Sequence, residues 1–321
     1  MLKSIPKYIY YLLASVGILL LSWISLFTGV KDIGFRQLFT DGDELLVFLI
    51  SRIPRTLSLI LVGAGMSIAG FVMQQLSQNR FVSPTTTGAL SASKMGILFA
   101  MILFPQVPLL VKMLCASIFT FASSSIFMLF VAKIRARSAV IIPLVGIMFG
   151  NIIEAVSTFF AYKNNIIQST QEWLLGDFSS VMQGQYEAIY LILPVVLFIY
   201  VYAERFTIAG MGESFARNLG LSYTVVVNLG LLAISLVVSA SVSTVGAIPF
   251  IGLIIPNIIS LFVGDNLRKT LPLTALFGAA LLLVCDILGR LIVFPYEIPI
   301  GMMVGMIGGV VFLVLILKRS R

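Results

Sequence analysis

Long runs of apolar residues, broken by short polar or glycine- and proline-bearing stretches, fill almost the whole chain. Read by length and continuity, the pattern predicts helices near 8 to 28, 54 to 76, 88 to 104, 109 to 132, 139 to 162, 186 to 203, 223 to 242, 248 to 263, 271 to 291 and 298 to 317. A run of about 18 or more apolar residues is long enough to cross a bilayer. Backbone in lipid must satisfy its own polar groups, so such spans are helical. The expected fold class is therefore all-α: a polytopic membrane protein of about ten transmembrane helices.

Two stretches interrupt the pattern. SQNRFVSPTTTG, residues 77 to 88, holds Pro84 and three threonines, and VGAIPFIGLIIPN, residues 245 to 257, holds Gly246, Pro249, Gly252 and Pro256. Such density predicts broken or short helices, either plain kinks or segments lining a cavity. In GAGMSIAG, residues 63 to 70, Gly63 lies a turn from Ser67 and Gly65 a turn from Ala69, which lets another helix approach the backbone closely. That helix is expected at the centre of the bundle. The longest polar connections fall near 29 to 53, 163 to 185 and 204 to 222, too short for a soluble domain, so residues 1 to 321 read as one membrane domain.

Composition agrees: 59% of residues are hydrophobic, 11% are charged and mean hydropathy is +1.08. The formal charge of +8 invites a nucleic-acid reading. Its placement speaks for topology instead. With the N-terminus in the cytoplasm, cytoplasmic segments carry Lys3, Lys7, Arg80, Lys133, Arg135, Arg137, Arg205, Arg217, Arg268, Lys269, Lys318, Arg319 and Arg321. External segments carry only Lys31, Arg36, Arg52, Arg55, Lys163 and Arg290, mixed with Asp32, Asp41, Asp43, Glu44, Glu172, Asp177 and Glu297. Both termini are thus expected in the cytoplasm. The first run, Tyr8 to Phe27, reads as a retained helix, because no small-residue cleavage pattern follows it.

The chemistry is sparse. Histidine is absent, Cys115 and Cys285 sit in apolar runs, and the spacings of a phosphate loop, a nucleophile elbow or a zinc site do not occur. No catalytic residue, metal site or cofactor is expected on this chain. Glu154 and Asp286 lie within spans, where an ionisable group marks either a proton relay or a local pair. Asn151 and Ser157 stand near Glu154, and Arg290 follows Asp286 at i+4, which suits hydrogen bonding or pairing. A proton-coupled secondary transporter using Glu154 or Asp286 is the alternative class.

Arg52 and Arg55 flank Pro54 at the start of the second span, the positive end of a helix dipole. They call for an acidic partner, either lipid phosphate or a docking protein's carboxylates. Finally, GMGESFARNLGLS at 210 to 222 places Glu213 four residues before Arg217 between punctuating glycines, the pattern of a short cytoplasmic helix fit for docking.

These stretches together resemble the FecCD family of iron-siderophore and vitamin B12 type ABC importer permeases. The resemblance rests on RIPR (52 to 55), GAGMSIAGFVMQQLSQNRFVSP (63 to 84), EWLLGDF (172 to 178), GESFARNLGLS (212 to 222), VGAIPFIGLIIPNI (245 to 258), LPLTALFGAALLLVCDILGR (271 to 290) and EIPIGMMVGMIGG (297 to 309), in that order. It implies a type II importer permease fold in a bacterial cell membrane, with two permease subunits, alike or related, around a central path. It further implies cytoplasmic ABC ATPase subunits that hold ATP and Mg, and an external siderophore-binding protein.

Carried over, Gly212, Glu213, Ser214, Arg217, Leu219 and Gly220, within a segment of about 204 to 222, couple to the ATPase. Arg52, Arg55 and Arg290 meet acidic residues of the binding protein. Met73, Gln74, Thr85, Thr86 and Thr87 are candidates for lining the path. The family usually has His at Asn257 and Arg at Ser260, and an NPLA-type stretch where this chain reads NRFVSP. The variant looks most like permeases for petrobactin-type catecholate siderophores, with cobalamin and haem as alternative cargoes.

Overall fold

The structure is a computed structural model describing residues 7–29, 42–104, 106, 108–134, 140–168, 170 and 175–319, with side chains described from 11 to 314. Lys3, Lys31, Asp32, Arg36, Asp41, Arg135, Arg137 and Arg321, and the first three residues of the EWLLGDF stretch, Glu172 included, lie outside the described residues.

Every expected helix forms. In chain order they are α1 (Lys7–Phe27), α2 (Gly42–Val47), α3 (Ile53–Leu76), α4 (Ala89–Leu103), α5 (Leu109–Lys133), α6 (Ile141–Lys163), α7 (Ile192–Val201), α8 (Ala203–Ala209), α9 (Glu213–Asn218), α10 (Tyr223–Val245), α11 (Ile251–Val263), α12 (Leu267–Leu291) and α13 (Ile300–Arg319). Among the described residues, five helical segments are long and apolar enough to cross a membrane, and the stretch from Glu187 through α7 and α8, bent by 64°, makes a sixth if taken as one broken span. α1, α4, α11 and α13 supply shorter apolar helices.

One expectation needs correction. The connection from 29 to 53 is partly helical: α2 runs through a π-helical turn, Phe48–Arg52, directly into α3. Pro54 reads from sequence as a helix start, since proline has no N–H to give the preceding turn. A widened π turn just before it takes up that missing bond, so the helix continues through it.

α3 is the centre of the bundle, packed against α12, α10 and α11, and most of it is buried. The small residues make this possible. A methyl placed on Gly63 would meet the Gly278 carbonyl oxygen of α12 at 2.5 Å, and one on Gly70 would meet the Gly252 oxygen of α11 at 1.9 Å. Two helices therefore touch α3 backbone to backbone. On the other flank α4 packs against α5, α6 and α10, while α1 lies along α12.

Both predicted interruptions are real. Residues 77 to 88 are turns between α3 and α4. After α10 the chain runs without helix from 246 to 249, turns at Phe250 with φ +63°, and only then begins α11, which carries Pro256 within it. The extended part is held by its neighbours: Gly301 N–H donates to the Gly176 oxygen at 2.9 Å beside Ala247. Irregular backbone at this depth survives because protein surrounds it.

Candidate functional site: two ends of the bundle

α3 and α12 run antiparallel, so the molecule has two distinct ends. The first gathers the 77–81 turn, α8, α9 and the start of α12. α9 begins after Gly212 at φ +111° and is followed by Gly220 at φ +76°, conformations in which a side chain is strained. Glu213 and Arg217 pair at 2.6 Å along its exposed side. Ala216 is buried against the body, whereas Met211, Phe215 and Leu219, four residues apart, are exposed at 60%, 45% and 56%. Sequence reasoning found the charges but not this apolar stripe.

The strip is tied to the membrane body. Gln75 and Gln78 lie against Gly210 and Gly212, and Leu267 N–H donates to Thr207 Oγ1 at 3.2 Å. Arg268 pairs with Glu204, and Arg80 with Asp265, whose backbone oxygen also accepts from Gln75. Asn257, at the position where the family usually has His, donates to the Arg80 oxygen at 2.8 Å and to the Leu253 oxygen at 2.7 Å. It thereby pins α11 to the 77–81 turn. A cleft of about 910 Å³ opens beside that turn, between α5, Glu213 and the start of α10.

The second end holds the arginines. Arg55 donates to Asp286 Oδ1 at 2.7 Å and to Glu297 Oε2 at 2.7 Å. Arg290 pairs with Asp286 Oδ2 and donates to Ser25 Oγ at 2.8 Å and to the Thr28 oxygen at 2.5 Å. Arg52 donates to the carbonyls of Leu26 and Thr28 at 3.1 and 2.7 Å. The acidic partner the sequence demanded is thus supplied in part by this chain itself, through Asp286 and Glu297. Arg52 and Arg290 are buried at 8% and 5% exposure, and the Arg55 side chain is 12% exposed. Their position between α1, α3 and α12 leaves Arg55 and Glu297 nearest the surface.

Asp286 and Arg290 form the i to i+4 pair the spacing suggested. Glu154 is also paired, with Lys94 of α4 at 3.8 Å. The sequence reading missed Lys94 because the partners are sixty positions apart and on different helices.

The suggested path residues divide. Met73 and Gln74 are buried, and Gln74 Nε2 faces the Gly252 and Leu253 oxygens at 3.5 and 3.4 Å, so Gln74 ties α3 to α11. Thr87 is buried, and Thr85 and Thr86 are partly exposed beside α6, where the Thr86 oxygen lies against Gly146.

Comparison with known proteins agrees over nearly the full length. A sequence model described as the FecCD transport family matches residues 17–318. The chain is 48% identical over 315 residues to the petrobactin import system permease protein YclN of Bacillus subtilis, covering 98% of each. It is 44% identical over 298 residues to the ferric-anguibactin transport system permease protein FatD of Vibrio anguillarum, covering 92% of this chain and 95% of that one. Among solved structures, a metal-chelate type ABC transporter in an inward-facing conformation superposes with a TM-score of 0.80 at 26% identity, covering 96% of this chain and 98% of that one.

Proposed function

This chain belongs to the FecCD transport family, and from that premise we propose that it is the membrane permease subunit of an ATP-driven importer for a ferric siderophore of the catecholate type. The observation that carries the reading is α9: a short helix held out from the bundle on two glycine turns, with an apolar stripe and an ion pair turned to solvent. A helix whose outer face no described residue of its own chain covers is fitted to receive a partner, here the ATPase subunits, which hold ATP and Mg. The cargo reading is supported by the two relatives whose names specify petrobactin and ferric anguibactin.

The site then works in three stages. The siderophore-binding protein docks at the arginine-bearing end, offering carboxylates to Arg55 in competition with Glu297, while Arg52 and Arg290 set the positive field from below. Closure of the ATPase pair pushes α9. Through Asn257, Arg80 and Asp265 that push reaches α11 and the 77–81 turn, the elements that flank the interrupted segment. Both termini lie in the cytoplasm of a bacterial cell membrane, and a second permease subunit, a copy or a relative, completes the path.

Reconstitution tests this directly. In proteoliposomes holding the permease subunits with ATPase and binding protein, uptake of ferric petrobactin or ferric anguibactin requires ATP. Uptake by this chain alone under a proton gradient would instead establish a secondary transporter working through Glu154 or Asp286.

A further inference from the structure

The intramembrane pair of Lys94 and Glu154 has no part in the coupling or docking just described, and its setting is specific. Gly146, Gly150 and Glu154 recur every four residues along one stripe of α6. A methyl on Gly146 would meet the Thr86 oxygen at 2.1 Å, and one on Gly150 would meet Gly88 Cα at 3.0 Å. The stripe therefore lies against the 86–94 segment, with Glu154 reaching Lys94 at its far end. Beside it runs a second stripe, exposed and polar in part: Met148, Asn151, Ala155 and Thr158, spaced three, four and three apart. A third face of the same helix, with Ile152, Val156 and Phe159, is exposed and wholly apolar.

Those two exposed faces cannot share one environment. The apolar face suits lipid. Asn151 and the edge of Glu154, 36% exposed at its side chain, do not, because polar and ionised groups within a span are costly against hydrocarbon and turn to protein or water. The Thr158 hydroxyl is satisfied by the Glu154 backbone oxygen at 2.9 Å. At 3.8 Å the Lys94 ammonium stands beyond hydrogen-bond reach of its carboxylate, and Glu154 is the acidic group that approaches it among the described residues. An ammonium carries three donors. Among the described residues no hydrogen bond takes them up.

We propose that Lys94, held at the edge of the polar face of α6 by Glu154, is a cargo-contacting residue of the passage, selecting net-anionic metal chelates. The proposal rests on the importer reading above. Two or more dianionic catecholates outweigh the threefold charge of the ferric ion they wrap, so a chelate built on them crosses as an anion. A cation partly neutralised by a mobile carboxylate attracts it without trapping it, since Glu154 can reclaim the ammonium as the chelate leaves.

The two halves of one ion pair then have opposite effects, which a packing role does not allow. The test uses the complete importer in proteoliposomes, with binding protein and ATP, and iron-labelled ferric petrobactin and ferric anguibactin as probes. Lys94→Met is expected to raise KM by about tenfold, Lys94→Arg to restore most of the loss, and Glu154→Gln to lower KM by about threefold, since it removes the competitor for the ammonium. Size-exclusion profiles in detergent confirm that each variant remains folded. Equal losses for Lys94→Met and Glu154→Gln would mean a structural lock, and an unchanged KM for Lys94→Met would mean no contact; either overturns the proposal alone. Failure of the unaltered importer to take up either chelate overturns it together with the importer reading.

Discussion

Asp286 accepts from Arg55 through one oxygen and pairs with Arg290 through the other, and all three side chains are at most 12% exposed. Removing its charge leaves two largely buried guanidiniums without their shared counter-ion. Asp286→Asn is expected to destabilise the protein by about 3–5 kcal/mol, the cost of breaking a buried pair from one side. Thermal unfolding in detergent measures it, and an unchanged midpoint would count against the network. Glycine contacts make a second expectation. Gly70→Leu, where even a methyl collides with the Gly252 carbonyl, should abolish folded protein, whereas Gly17→Leu and Gly309→Leu, with nothing within 4 Å, should leave its yield unchanged. The GAGMSIAG spacing showed that a backbone would approach this helix. It did not show whose, because Gly278 and Gly252 lie some two hundred positions away. The same distance hid Asp286 and Glu297 as partners of Arg55, 231 and 242 positions along the chain.

At the scale of elements, α9 joins an exposed apolar stripe to a buried Ala216, and these have different consequences when altered. Phe215→Asp together with Leu219→Asp should leave the fold intact, since both side chains are exposed, yet abolish association with the ATPase subunits in a detergent pull-down and reduce ATP-driven uptake to background. Retained association would remove α9 from the coupling surface. Helix identity was legible from apolar run lengths, and boundaries mostly held within a few residues. They failed where backbone geometry decides. α11 begins at Ile251 rather than 248 because Phe250 takes a left-handed turn, and α2 extends the second span backward because a π turn absorbs Pro54. Neither feature has a composition signal strong enough to read.

For the molecule as a whole, the antiparallel course of α3 and α12 fixes Met211 and Tyr296 at opposite ends, both well exposed. Cysteine placed at each position in intact cells should therefore label oppositely: a membrane-impermeant maleimide reaches Tyr296→Cys from outside and leaves Met211→Cys unmarked until the cells are opened. Replacing Cys115 and Cys285 beforehand removes any background. Labelling of Met211→Cys from outside would invert the topology. The charge bias of the loops predicts this orientation, whereas the order of packing, with α3 innermost and α6 at the margin, depends on contacts that no single helix announces. One consequence reaches beyond transport. If α9 faces the cytosol as proposed, a copy of this polypeptide made in excess of its companions would present Met211, Phe215 and Leu219 bare there, a greasy handle by which unassembled copies could be told from assembled ones and cleared.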